Sequence, residues 1–371
     1  MIYLNNAATS YPKPDCVCAS VSAALKNMPG AAHRGGIEDF DVFDEVRRLV
    51  APLLGVSEHE QIALGANASW ALNLAIFGFP LNGGRVLTTK AEHNSVLRPL
   101  FSLENEKKCS VVYLDVDETG RISPEKWRAA LLEHRPALCV FSHASNVTGA
   151  VNDAKALCAA AKEQGSAVLM DASQTLGLKT LEAEKWGADM VAFTGHKYLL
   201  GSQGTGGLWV RPGLELRPHL VGGTGIMSDL ETMPDIMPLH LEAGTGNEPG
   251  FHGLLAALRW AGENPLDERA MLEKLYKLRR GLAALGARVI APTGDVTPVL
   301  SFTLPGISCA EAAYELSEGC GIVCRTGLHC APKIFPCLGV PETIRLSLSR
   351  FTDDGEVEEA IEAVGSVVNG I

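Results

Sequence analysis

The chain of 371 residues is 46% hydrophobic and 20% charged, with a formal net charge of −11, the balance of an ordinary enzyme with one large core and a smaller one. No run of like charges offers a nucleic acid or an anionic membrane a continuous partner, and no apolar run reaches the length of a membrane span. The start "MIYLNNAATSYPKP" lacks the basic opening and apolar middle of a secretory signal, so a cytoplasmic protein is expected. In that reducing compartment the ten cysteines read as core thiols, ligands or nucleophiles rather than as a disulfide framework.

In "EDFDVFDEVRRLVAPLLG", Val42, Phe43, Val46, Val50, Leu53 and Leu54 fall on one helical face. From about residue 60 to 210, short apolar runs ("QIAL", "RVLTT", "SVVYLDV", "ALCVFS", "AVLMD", "DMVAFTG", "GGLWV") alternate with amphipathic stretches ("ASWALNLAIFGF", "NSVLRPLF", "SPEKWRAALLEH", "DAKALCAAAKEQG"). This alternation predicts an α/β unit of βαβ repeats around a mostly parallel sheet, whose ligands sit beyond the carboxyl ends of the strands. A Gly- and Pro-rich passage over 211–250 follows. After it come two helical stretches, "FHGLLAALRWAG" and "LDERAMLEKLYKLRRGLAAL", then strands in "ARVIA", "VLSFTL", "GIVCR" and "IRLSLS", with helices in "CAEAAYELSEG" and "DGEVEEAIEAVGSVV". The expected division is an N-terminal segment over 1–20 packing with the small domain, a large domain over 21–250 and a smaller α+β domain over 251–371.

Three stretches carry chemistry. In "VAFTGHKYLLGSQGTGGLWV", Lys197 follows a strand and is flanked by Thr194, Gly195, His196 and a glycine-rich continuation. A lysine so placed can be desolvated close to a ligand carbonyl and form an imine, although a lysine after a strand is also a common surface residue. Asp171 ends the apolar run of "VLMDASQTLG", which points its carboxylate either at a cationic ligand group or at the following turn as a cap, and the two are compatible. Gly65 to Ser69 lead straight into an apolar-periodic helix, so free N–H groups and the Ser69 hydroxyl can hold a phosphate or simply cap the helix.

With these residues in place, the sequence resembles the class V aminotransferase family of pyridoxal-phosphate enzymes (fold type I), and within it the cysteine desulfurases and selenocysteine lyases. The resemblance runs through "IYLNNAATSYPKP", "AEHNSVLRP", "SNVTGAVN", "DASQ", "TGHKYLLG", "EAGTGN", "RTGLHCAP" and "IRLSLS". It implies an aspartate-aminotransferase-like large domain with a mostly parallel seven-stranded sheet. It implies that Lys197 forms the imine with the cofactor and that Asp171 pairs with the pyridine nitrogen. His93 matches the histidine stacked on the ring, and Asn146 and Gln174 match side chains near the substrate end and the ring hydroxyl. Phosphate contacts map to Ala68, Ser69, Thr194 and His196, and Thr245 matches a threonine that reaches the neighbouring subunit's cofactor, which implies a homodimer. Arg345 matches the arginine that clamps the substrate carboxylate, with Arg325 beside the same site, and Cys330 matches the thiol that takes sulfur from cysteine for a sulfur-acceptor protein.

The chain departs from the family pattern at Asn5 (usually Asp), Ser69 (usually Thr), Trp70 (usually Glu) and Ile37 (often His). Cys330 has three readings. As a nucleophile it follows Gly327 and neighbours His329 and Arg325, a setting that favours a thiolate. As a metal ligand it would join Cys320, Cys324, Cys337 and His329, but these gaps lack the close pairing of structural zinc sites, and no metal is expected. As a bland core thiol it would leave a class V enzyme of another activity.

Overall fold

In the computed structural model, which describes residues 1–27 and 40–370, the apolar runs before residue 211 form the central sheet. Its strands are β2 (Ile62–Gly65), β3 (Arg85–Thr89), β4 (Ser110–Leu114), β5 (Leu138–Ser142), β6 (Ala167–Asp171), β7 (Met190–Thr194) and β8 (Gly206–Val210), after a short β1 (Ile2–Tyr3). The seven pair in the order β2-β8-β7-β6-β5-β3-β4, and β8 alone runs against the rest. Strands β5, β7 and β8 are buried at every position, the signature of a sheet covered by helices on both faces. The mostly parallel seven-stranded sheet is therefore the one expected from the sequence.

The helices are α1 (Asp15–Lys26), α2 (Val42–Leu54), α3 (Ala68–Gly78), α4 (Asn94–Asn105), α5 (Pro124–His134), α6 (Ala154–Glu163), α7 (Ala183–Trp186), α8 (Glu248–Glu263), α9 (Glu268–Ala284), α10 (Cys309–Tyr314), α11 (Phe335–Leu338) and α12 (Asp354–Asn369). Helix α2 starts where the Asp41 carboxylate accepts the N–H groups of Phe43 and Asp44, and ends at Gly55 with φ 68°, a left-handed stop that glycine allows at no steric cost.

The smaller sheet has the order β12-β13-β10-β9, built from β9 (Arg288–Ile290), β10 (Val299–Thr303), β12 (Arg325–Gly327) and β13 (Thr343–Ser347), all antiparallel. Its core holds Leu275, Leu278 and Leu282 of α9 and Val357, Ala360 and Val364 of α12. The run "GIVCR" is two strands rather than one: β11 (Ile322–Val323) pairs in parallel with β1, and β12 turns away to pair with β13. The insertion of the N-terminus beside β11 requires that break.

Two expected boundaries fall inside helices. A division between residues 20 and 21 cuts α1, and one between 250 and 251 cuts α8. Phe251, Leu254, Leu255 and Leu258 of α8 pack into the larger core, so the transition to the second core comes with α9. An apolar face stays with the sheet it covers, and the Gly- and Pro-rich passage before it does not set the boundary. The departure at Ile37 lies outside the described residues.

Candidate active site

Five strands of the large sheet end at one crevice. The turn after β2 starts α3 at Ala68, with Asn67 as its cap accepting the Trp70 N–H at 2.9 Å. The first N–H groups of such a helix have no partner within it and point outward as an anion cradle. Strand β3 leads to His93, the cap of α4, whose Nδ1 accepts the Ser95 N–H at 3.1 Å. Strand β5 ends at Ser142, β6 at Asp171, and β7 leads through Thr194, Gly195 and His196 to Lys197. This is the carboxyl edge at which open α/β sheets bind ligands.

A cavity of about 280 Å³ lies there, and its wall carries Ala68, Ser69, His93, Asn146, Asp171, Gln174, Thr194, His196, Lys197, Arg325 and Arg345. Asp171 is the only acidic side chain on that wall among the described residues, so the cavity is cationic. Its Oδ1 accepts the Ser173 N–H at 2.9 Å, which fixes the carboxylate toward the crevice. Burial holds the Lys197 ammonium down to about 8, with Asp171 pulling the other way and Arg345 and Arg325 adding to the fall. A lysine near that value has a useful fraction of free amine at neutral pH. Burial, and next the Lys197 charge, take His93 down to about 4. His93 is therefore neutral at pH 7, and because Nδ1 accepts, its proton is on Nε2.

Arg345 is 1% exposed, and its named partners are neutral: the Asn146 carbonyl at 2.9 Å and the Asn5 Oδ1 at 3.0 Å. Burial first and Arg325 second lower it to about 10. Among the described residues its Nε is buried without a hydrogen-bond partner, as are the Gln174 Oε1 and the His196 Nδ1. Buried polar atoms of this kind call for a partner, and these three face or adjoin a cavity that can supply a ligand. The Asn5 departure therefore leaves a fully buried guanidinium that no carboxylate among the described residues pairs with.

Cys330 is on the rim, not the wall. Its Sγ accepts from the Arg325 Nη2 at 3.0 Å, and Arg325 does line the cavity. His329, Cys330 and Gly327 have φ of 47°, 59° and 94°, and the loop is held by the Asn94 N–H donating to the Cys330 carbonyl at 2.6 Å and the Asn146 Nδ2 donating to the His329 carbonyl at 2.7 Å. The expected help from His329 is absent. Its Nε2 turns to the Thr343 hydroxyl at 2.9 Å, and burial lowers its proton affinity far below the ordinary value. Arg325 is the cation placed to pair with a thiolate.

The metal alternative does not assemble. Cys324 packs on the smaller core and burial pushes its thiol up to about 11, Cys320 is exposed and Cys337 faces Asp115 at 3.9 Å. Among the described residues no three His, Cys, Asp or Glu side chains are grouped to hold a metal ion.

Thr245 is outside the cavity, on an exposed loop beside a second pocket that also holds Trp70. The Trp70 departure thus does not touch the wall around Lys197. Ser69 keeps the hydroxyl function of the usual Thr, bonding the Ser95 Oγ at 2.6 Å. Sequence reasoning missed Ala7, Ala8, Leu72, Ser95, Ser142, Ala144 and Ser173 on the wall and the buried Glu92 behind it, which accepts from the Thr89 and Ser142 hydroxyls. Their signal was available in part: Ser95 and Ser173 lie two residues from His93 and Asp171.

The family model of the class-V aminotransferases matches residues 2–359, and the chain belongs to that family. Its relatives include a probable cysteine desulfurase of Streptomyces coelicolor, 30% identical over 392 residues that cover 100% of this chain and 92% of the relative. A probable cysteine desulfurase of Xylella fastidiosa is 29% identical over 379 residues, covering 98% of this chain and 90% of the relative. The apo structure of a cysteine desulfurase from Thermococcus onnurineus NA1 matches with a TM-score of 0.89 at 27% identity, covering 100% of this chain and 95% of the other.

Proposed function

We propose that the chain is a pyridoxal-phosphate-dependent cysteine desulfurase. It takes the sulfur of L-cysteine onto Cys330 as a persulfide, releases L-alanine, and works as a homodimer that hands the sulfur to an acceptor protein. The observation that carries this reading is the placement of the Cys330 Sγ 3.0 Å from Arg325, which shares a cavity wall with Lys197, Asp171 and Arg345.

The residues fit the cofactor. The N-terminus of α3 with Ser69, Thr194 and His196 would hold the phosphate, His93 the ring face, Gln174 the ring hydroxyl and Asp171 the pyridine nitrogen, and the unpartnered Gln174 Oε1 and His196 Nδ1 are the atoms such a group would satisfy. When bound, pyridoxal phosphate supplies an electron sink for the pair left on the substrate's Cα. Arg345 binds the substrate carboxylate through its planar fork. Lys197, held down to about 8, takes the Cα proton. The neutral His93, with its proton on Nε2, is placed to give and recover a proton beside it. Arg325 stabilises the Cys330 thiolate, which forms an S–S bond to the substrate sulfur. The C–S bond breaks, its pair stays on Cβ and takes up a proton, and return of the proton from Lys197 to Cα completes alanine.

The exposed apolar side chains Leu220, Val221, Ile226, Met227, Leu230 and Ile236 support a dimer, because a patch of this kind on a soluble chain marks an interface. The ten free thiols suit the cytoplasm, and among the described residues no helix is long and apolar enough to cross a membrane.

The test has two parts. The purified protein should show a visible band that borohydride removes, leaving the cofactor on Lys197. Alanine and sulfide formed from L-cysteine should fall at least about a hundredfold in Cys330→Ala while that band persists. Equal turnover in the variant and the wild type would remove Cys330 as the nucleophile. L-selenocysteine assayed in parallel separates a selenocysteine lyase, whose better leaving group can react without Cys330.

A further inference from the structure

The carbonyl of His196 belongs to the peptide bond that introduces Lys197, and it is unusually crowded with donors. The Ser10 N–H reaches it at 3.0 Å, the Thr9 Oγ1 at 3.1 Å, the Ser10 Oγ at 3.2 Å and the Lys13 Nζ at 2.8 Å. A carbonyl oxygen has two lone pairs, so this one is saturated, and the ammonium is the strongest of its donors. The same ammonium donates to the Ser10 Oγ at 2.6 Å. Burial lowers Lys13 to about 8, with only the Cys18 thiol acting the other way. Among the described residues this partly buried cation has no carboxylate partner, which is costly to hold, and after burial and Lys197 its charge adds to keeping His196 neutral.

The segment that ends in Lys13 is also tied to the substrate side. Asn5 accepts from Arg345 at 3.0 Å, the Ala7 N–H donates to the Ser347 Oγ at 2.9 Å, and the Ala7 carbonyl accepts from Gln174 at 3.1 Å. Residues 5–13 therefore form a strap from strand β13, which carries Arg345, to the loop that carries Lys197.

We propose that Lys13 is a positioning residue for Lys197: it anchors the strap on the His196 carbonyl and so fixes the Lys197 amine relative to Arg345 and Asp171. This rests on the reading of Lys197 as the cofactor lysine.

The experiment compares full-length holoenzyme carrying Lys13→Met or Lys13→Arg with the wild type. It measures the pH titration of the visible band, kcat and KM for L-cysteine, and the melting temperature. Lys13→Met should lower kcat about tenfold with KM within about twofold, because a small misplacement of the reacting amine costs rate more than binding. Its titration midpoint should also move measurably, since the distances of the amine from Asp171, Arg345 and Arg325 set that value. Lys13→Arg, which keeps charge and donor, should restore the midpoint and return kcat to within about threefold. A Lys13→Met enzyme with unchanged kcat and midpoint overturns the proposal. So does a variant whose only change is a lower melting temperature, or a loss that Lys13→Arg fails to restore. Where Lys13→Met does not fold, Lys13→Gln loses the charge-assisted bond to the His196 carbonyl, and an unchanged kcat and midpoint in it are equally fatal. A wild type with no band reducible onto Lys197 would sink the cofactor reading as well. A band that is present but indifferent to Lys13 sinks this proposal alone.

Discussion

His329 and Cys330 have φ of 47° and 59°, a conformation that costs a residue with a side chain on the order of 1–3 kcal/mol. The loop tolerates it because Asn94, Asn146 and Thr343 each bond to it, and the result is a sulfur turned to Arg325 rather than into the core. At the same scale Glu92, 1% exposed, is held up to about 7, by burial first and by Asp171 as well, against the pull of the Thr89 and Ser142 hydroxyls. The folded state thus binds this proton more tightly than the unfolded chain. Its stability contribution is complete at acidic pH, declines as pH rises from about 4.5 to about 7, and is level above that. The decline should be on the order of 1–3 kcal/mol. Glu92→Gln cannot titrate, so its melting temperature should fall less between pH 5 and pH 8 than that of the wild type, and an equal fall would show that Glu92 is not the source. Nothing in the sequence marked Glu92 as buried, because its neighbours in the wall come from β3, β5 and β6.

Among the elements, the approach of β8 to the turn before α3 sets the shape of the phosphate cradle. A Cβ on Gly206 would come within 2.7 Å of the Phe193 carbonyl oxygen and 2.8 Å of the Asn67 Cα, and neither backbone atom can move without shifting α3 or β7. Gly206→Ala should therefore weaken retention of pyridoxal phosphate at least about tenfold, equivalent to about 1.4 kcal/mol, read by equilibrium dialysis against the free cofactor. Gly262→Ala, where an added Cβ meets nothing within 4 Å, should retain the cofactor like the wild type. If the two variants behave alike, the close approach has no role in binding. The strands and helices were legible in the order of apolar runs. The break between β11 and β12 was not, since it depends on β1 arriving from more than three hundred residues away.

For the whole molecule, the exposed apolar segment around Val221 and Leu230 and the exposed Thr245 loop belong together in the dimer proposed above. Sedimentation of the holoenzyme should give about twice the 39.4 kDa of one chain. Val221→Asp combined with Leu230→Asp should shift the species toward the monomer, because a charge desolvated in an interface is costly. Cofactor should be lost in parallel if Thr245 reaches the partner's site. A monomeric wild type with full cofactor would refute both the interface and that role for Thr245. The loop carrying Thr245 is braced by the ion pair of buried Arg47 with half-buried Glu242 at 2.6 Å, and Glu242 also accepts the Leu64 N–H at 2.7 Å.

By itself the sequence determined what depends on local order: the alternation that makes a parallel sheet, the strand ends that carry Asp171 and Lys197, and the motif around Cys330. Hydrophobic periodicity and turn chemistry act over a few residues, so they can be read along the chain. Only the tertiary structure decided that α8 covers the larger core, that Arg325 and not His329 attends the Cys330 sulfur, and that Lys13 bonds a peptide next to Lys197. Those contacts join residues far apart in sequence. They depend on side-chain direction and on which buried charges find partners, which no one-dimensional pattern specifies.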